Sequence, residues 1–419
     1  MAVIHFNQAA TKRLAAILLG LAIFSLPFGL GPLSNLFLLA LALLCFVAMN
    51  KSDWSYSLRS PITWTSWAFF FIYAISLTYS EDLQSGLKDL ETKLSFLLGP
   101  PVLVAVGRYF QEDEKRKFKD FFIIGCSISL LAALVYAGWR SLNAQSFSYV
   151  KINGSQEHFF FLYETLSKPF MHPGYLSTLY GFAILFLVHR VWKPKKEERK
   201  LINWFLIIWL ALGLFLLQGR INILALAIIL GSMIFIRIIS QKRWLLMIGG
   251  TASLGLLILL FISFAPQALK ERYLAFPDFS YQLRDTNFNS ATYRLAEWEC
   301  ALVSLKESPW IGYGIGDAKE ELLDTYKEKG FLEGWERRYN AHNQYLETSM
   351  AAGLLGLIAL VALLFAYIQR AHSLNKTDLL TALLFFALCL CTESMFERAW
   401  AIVSFNVLFP FLLSSTKSD

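Results

Sequence analysis

Charge is scarce in this chain. Asp, Glu, Lys and Arg make up 16% of its 419 residues, against 56% hydrophobic residues. With a mean hydropathy of +0.48 and apolar runs close to the roughly 20 residues that cross a bilayer, this excludes an ordinary soluble domain. Strict alternation of apolar and polar residues is missing too, which excludes a β-barrel. Cysteine is sparse: five residues, of which Cys45, Cys126, Cys389 and Cys391 fall in apolar runs, so no disulfide framework is expected. Cys389 and Cys391 are two apart, diverge on a helix and make a poor metal pair. There is no internal repeat, no low-complexity segment and no G-x-x-x-x-G-K-[ST] phosphate loop. The first apolar run lacks a small-residue cleavage site and reads as a retained helix. The pI near 9 does not imply a nucleic-acid partner, because Lys and Arg gather in short connections between apolar runs, as membrane topology requires.

What is present is an all-α polytopic pattern. Apolar spans are expected at 14–31, 33–49, 62–79, 94–110, 120–138, 174–191, 201–218, 221–239, 244–264, 346–368, 378–392 and 400–414, about twelve transmembrane helices. Both termini then share a side. The basic connections at 115–119, 193–200 and 241–243, with Arg370 and Lys376, assign that side to the cytoplasm. The chain divides into 1–264 (spans one to nine), 265–345 (one large outer loop) and 346–419 (the last three spans). An amphipathic surface helix is expected at 80–93, from Leu83, Leu87 and Leu90, with Pro100 and Pro101 kinking the span that follows. The outer segment 155–175 is aromatic-rich and carries His158 and His172.

Arg220 is the most informative charge outside the large loop. It sits in a two-residue turn between apolar helices with no acidic residue nearby in sequence. Its guanidinium either snorkels to lipid headgroups or binds an anion. Within the loop, Leu295, Trp298, Leu302 and Leu305 predict a helix over 291–306 that lays this apolar face on the membrane domain. Arg294, near its start, pairs with Glu297 or Asp285, or joins Arg220 in clamping a diphosphate. The glycines of "GYGIGD" (312–317) read as a structural turn before a helix capped by Asp317 and Glu320 and ended near Gly330. His342 stands where the tenth span begins, and the helix dipole is expected to lower its pKa and keep it neutral, able to accept a proton. Glu393, Glu397 and Arg398 occupy the last outer turn.

The ordered set "QGRINILALA", "YRLAEWECALVSLKESPWIGYGIGD", "YNAHNQYLETSMAAGLLGL" and "TESMFERAWAIVSF" resembles the bacterial O-antigen ligase and polymerase superfamily of polytopic glycosyltransferases. The likeness is good from about 210 to 410 and extends weakly to "HPGY" (172–175) and to "SLTYSEDLQSGLKDLETKLSFLL" (76–98). It implies a GT-C-like fold and an inner-membrane enzyme working on the periplasmic face. Such an enzyme takes a glycan from an undecaprenyl diphosphate carrier and, in the ligase branch, passes it to a sugar hydroxyl of lipid A-core. On the matching positions, Arg220 and Arg294 would neutralise the diphosphate and His342 would act as general base or orient the acceptor. His172, Lys93, Glu393 and Arg398 are second-rank substrate-binding candidates. No cofactor and no metal are expected: the outer segments hold no Asp-x-Asp and no spaced His/Cys cluster. Gly219 stands where many relatives have serine or threonine. A monomer among membrane lipids is expected. A repeat-unit polymerase or a protein O-oligosaccharyltransferase would use the same donor and arginines. A lipid-linked glycan transporter is the alternative of another class, and it should carry ionisable residues near the bilayer midplane.

Overall fold

The computed structural model describes residues 8–150, 157–192, 200–241, 280–284 and 288–416. The expected span 244–264 and the opening of the large loop lie outside the described residues.

The first half runs α1 (Gln8–Ser25), α2 (Gly31–Ala48), a short α3 (Lys51–Leu58), α4 (Pro61–Ser76), α5 (Leu83–Gly107) and α6 (Glu112–Ala144). A small hairpin of β1 (Ser148–Val150) and β2 (Glu157–Phe159) follows, pairing Tyr149 with His158. Then come α7 (Tyr163–Ser167), α8 (Pro173–Trp192), α9 (Lys200–Leu216) and α10 (Arg220–Gln241). After these the chain forms α11 (Ser290–Leu305), α12 (Ala318–Lys329), α13 (Leu332–Glu336), α14 (Gln344–Ser373), α15 (Thr377–Leu390) and α16 (Ala399–Leu412). Among the described residues the fold is helical, consistent with the all-α expectation, apart from this short hairpin. Among the described residues six helices are long and apolar enough to cross a membrane, and four shorter apolar helices accompany them. Leu, Ile, Phe and Trp side chains remain exposed along them, as lipid-facing surfaces require.

Three local expectations change. First, the surface helix and the span after it are one helix, α5, which continues through Pro100 and Pro101. Pro101 has no N–H for the carbonyl of Leu97, and the Trp67 indole donates to that carbonyl instead at 2.8 Å. Second, α11 buries not its large apolar stripe but Thr292, Ala296, Glu297, Cys300, Ala301 and Ser304, while Leu302 is exposed. Small residues on that face let the helix approach α12 and α14 closely. Third, Asp317 does not cap α12 with its side chain. Its carboxylate accepts the backbone N–H groups of Glu81 and Asp82 at 2.6 and 2.8 Å, tying the large loop to the start of α5.

The glycine turn is structural, as its spacing predicts. Helix α14 breaks at Ala352 and Gly353, the latter at φ +61°. The turn segment 309–314 docks into the break: Tyr313 and Gly314 donate to the carbonyls of Met350 and Ala351, and Leu354 donates to that of Pro309. Gly312 and Gly314 also have positive φ. A Cβ at Gly353 would lie 2.2 Å from the Trp310 carbonyl carbon, so only glycine fits there.

Candidate active site

Where α12, the 337–342 turn and the 392–400 turn meet α5 and α8, they line a cavity of about 540 Å³. Four basic side chains line it, Lys319, Arg337, Arg338 and Arg398, with two carboxylates, Glu393 and Glu397; Arg337 and Arg338 also pair with Glu333 and Glu320, which do not line it. His172 and His342 line it as well, with Tyr339, Asn340 and Trp400 among the rest.

His342 is held from both sides. Its backbone takes the left-handed conformation, φ +40°, just before Asn343, whose side chain caps α14 by accepting from the N–H groups of Tyr345 and Leu346. The N–H of Ala341 donates to Glu347 at 2.9 Å, and Ser394 joins Asn343 to the same carboxylate. The imidazole Nδ1 lies 2.9 Å from Oε2 of Glu297, a carboxylate only 1% exposed. The helix-dipole expectation is therefore corrected. Burial pulls the His342 pKa down, but the hydrogen bond and charge of Glu297, with Glu393 beyond, outweigh it and leave the pKa raised. Burial raises the pKa of Glu297, against the pull of His342 and Arg294. With Nδ1–H donating to Glu297, the neutral ring keeps its lone pair on Nε2.

Of the two acids expected to partner Arg294, Asp285 lies outside the described residues, and Glu297 bonds His342 instead. The Nη2 of Arg294 bonds Oε1 of Glu393 at 2.6 Å and its Nε donates to the Thr392 carbonyl at 3.1 Å, so it stands behind the cavity's Glu393. His172 lies beside the same carboxylate. Burial lowers its pKa, and the N–H of Gly174 donates to its Nδ1 at 3.3 Å. Lys93 does not line the cavity. Its ammonium is wholly buried, 2.7 Å from Glu397 and 3.2 Å from the Phe396 carbonyl, over the ring of Tyr73. It acts on the site through Glu397. Gln344 completes this floor, donating to Glu397 and accepting from the N–H of Phe396.

Arg220, at the exposed start of α10, is not among the cavity's lining residues. Its turn is nonetheless anchored beside the site: Asn222 donates to the carbonyl of Gly174 and to Thr178, both at 2.9 Å. A Cβ on Gly174 would sit 3.8 Å from the Glu393 carboxyl carbon. Gly219 needs its missing side chain here, since a Cβ would approach Ser177 Oγ to 2.7 Å.

Four lining or anchoring groups escaped the sequence reading. Glu297 was weighed only as a partner for Arg294. Arg337 and Arg338 had a visible signal, a basic pair just before His342. Lys319, whose ammonium donates to the Arg338 carbonyl at 2.7 Å and whose pKa burial lowers, had none.

Residues 205–361, the interval holding Arg220, Arg294, Glu297 and His342, match the family described as O-antigen ligase. The chain is 24% identical over 381 residues to an uncharacterised protein of Haemophilus influenzae, covering 87% of this chain and 86% of that one. It is 28% identical over 120 residues to a protein of Rickettsia conorii provisionally named a polysaccharide ligase, covering 27% of this chain and 25% of that protein. This multi-pass helical chain thus carries, over residues 205–361, a segment that matches the O-antigen ligase family.

Proposed function

We propose that the protein transfers a glycan from undecaprenyl diphosphate to a sugar hydroxyl of lipid A-core, without a metal, at the periplasmic face of the inner membrane. The observation that carries this reading is His342, held by buried Glu297, opening onto a cavity lined by four basic side chains. Neutral His342 takes the proton of the acceptor hydroxyl on Nε2. The oxygen attacks the anomeric carbon as the bond from that carbon to the diphosphate oxygen breaks. The released diphosphate carries the departing electron pair, and Arg337, Arg338, Arg398 and Lys319 face the charge that develops there. Arg294 holds Glu393 in place in the free enzyme and is positioned to exchange that partner for phosphate. Arg220 serves the donor from the neighbouring turn. In this reading residues 265–345 form the lid and much of the site, and the flanking helices fix it at one bilayer surface.

A polymerase or a protein glycosyltransferase shares the donor half of this scheme. The test is glycan transfer from the lipid diphosphate to purified lipid A-core in detergent with EDTA, comparing wild type with His342→Ala and Arg294→Ala. The proposal expects ligated product from wild type alone. Lengthening of the carrier-linked glycan instead would make the enzyme a polymerase, and absence of any transfer by wild type would overturn the reading.

A further inference from the structure

A second polar cavity, of about 430 Å³, lies at the other end of the helices that carry the site. Arg370 lies in the last turn of α14, roughly 39 Å along that helix from Gln344 at 1.5 Å per residue. Arg108 caps the end of α5, roughly 22 Å beyond Lys93. With Arg59 these guanidiniums line the cavity, together with Tyr56, Ser52 and Ser55.

Among the described residues, the acid that pairs with these guanidiniums is Asp53. Buried Asp53 pairs with Arg108 at 3.3 Å and accepts from Tyr109. Arg108 stacks over the Tyr56 ring at 4.3 Å, and its Nε is buried without a hydrogen-bond partner. Arg370 donates to the Leu413 carbonyl, Tyr56 and Ser415, all uncharged acceptors. Arg59 is exposed, and among the described residues its hydrogen bonds are those of its backbone N–H. Among the described residues three cations thus face one carboxylate, in a recess with hydroxyl groups on its wall. Snorkelling arginines spread along an interface and need no recess. Two of these are instead fixed: Arg108 by Asp53 and Tyr56, and Arg370 by Tyr56 and Ser415.

We propose that this recess is a second anion site, binding a phosphate group supplied by an anionic phospholipid of the leaflet opposite the His342 cavity. Guanidiniums suit phosphate oxygens by their paired N–H geometry, and the position at a helix-bundle end matches the depth of a headgroup.

The test uses the full-length protein in detergent with a photoactivatable short-chain phosphatidate, followed by mass-spectrometric mapping of the labelled peptides. The expected result is label within residues 51–61 and 366–373, reduced at least tenfold in Arg59→Gln and restored in Arg59→Lys. Label on peptides lining the His342 cavity stays unchanged in Arg59→Gln, which shows that the variant is folded. Competition by millimolar inorganic phosphate that erases the label assigns the site to phosphate itself, whereas label that only unlabelled phosphatidate displaces assigns it to the lipid. Equal labelling by a phosphatidylcholine analogue, or wild-type labelling in Arg59→Gln, overturns the proposal.

Discussion

Replacing Glu297 with Gln tests whether the His342 imidazole is tuned by its buried partner. The 2.9 Å contact from Nδ1 to a carboxylate 1% exposed is a charge-assisted hydrogen bond, a class worth about 1.5–3 kcal/mol. If that interaction strengthens as the ring gains its proton in the transition state, its loss lowers kcat by about 10- to 150-fold. The neutral amide can still accept from Nδ1–H, so the substitution removes charge more than shape. Binding of the donor should therefore change little.

The pH profile supplies the sharper reading. Glu297 is the principal reason that the His342 pKa is raised against the lowering effect of burial. A base with a raised pKa is protonated, and idle, to a higher pH, so activity should climb with pH through a value above 6.5. In Glu297→Gln the burial contribution prevails and the acid limb moves to lower pH. The assay is glycan transfer from the lipid diphosphate across pH, with kcat and KM separated. A variant with unchanged kcat and an unmoved acid limb would refute the coupling. A variant that loses activity with the limb in place would reduce Glu297 to a packing role.

Other outcomes follow from the same coordinates. Arg338→Gln and Arg337→Gln should each raise the KM for the diphosphate donor about tenfold, at one lost charge-assisted contact apiece; a change confined to kcat would count against donor binding. Lys93→Met leaves Glu397 without its ammonium partner and should destabilise the protein by about 3 kcal/mol, read as a lower melting temperature in detergent, with partial recovery in the Lys93→Met/Glu397→Gln double variant. Gly353→Ala sets a Cβ against the Trp310–Ile311 peptide at positive φ and should cost about 2 kcal/mol or more; an unchanged melting temperature would mean that the 309–314 segment does not dock in the α14 break.

The helices were legible because hydrophobic run length carries most of the information in a bilayer. Of the expected segments, those matching α1, α2, α4, α6, α8, α9, α10, α14, α15 and α16 differ from the observed helices mainly at their ends. Run length could not show that α5 would absorb its prolines, since the compensating donor is Trp67, some thirty residues earlier. Nor could periodicity identify the buried face of α11. In water the large apolar stripe is the default core face, but beside a membrane large apolar side chains can face lipid while Ala296, Cys300 and Ala301 make the close contact.

The site was legible in its titratable and cationic residues and illegible in its couplings. His342, Arg294, Glu393 and Arg398 stand out as polar groups in an apolar chain, and the fold gathers them at one end of the bundle. Their partners are long-range: His342 with Glu297 across 45 positions, Arg294 with Glu393 across 99, Lys93 with Glu397 across 304. Local reasoning therefore assigned His342 to the nearest field, the α14 N-terminus, and obtained the opposite sign for its pKa. A helix terminus acts through partial charges that fall off within a turn, whereas a buried carboxylate in direct contact acts through a full charge with little water to screen it. Where both face the same imidazole the carboxylate wins, and with it comes a ring fixed by Nδ1 that presents Nε2 to the cavity.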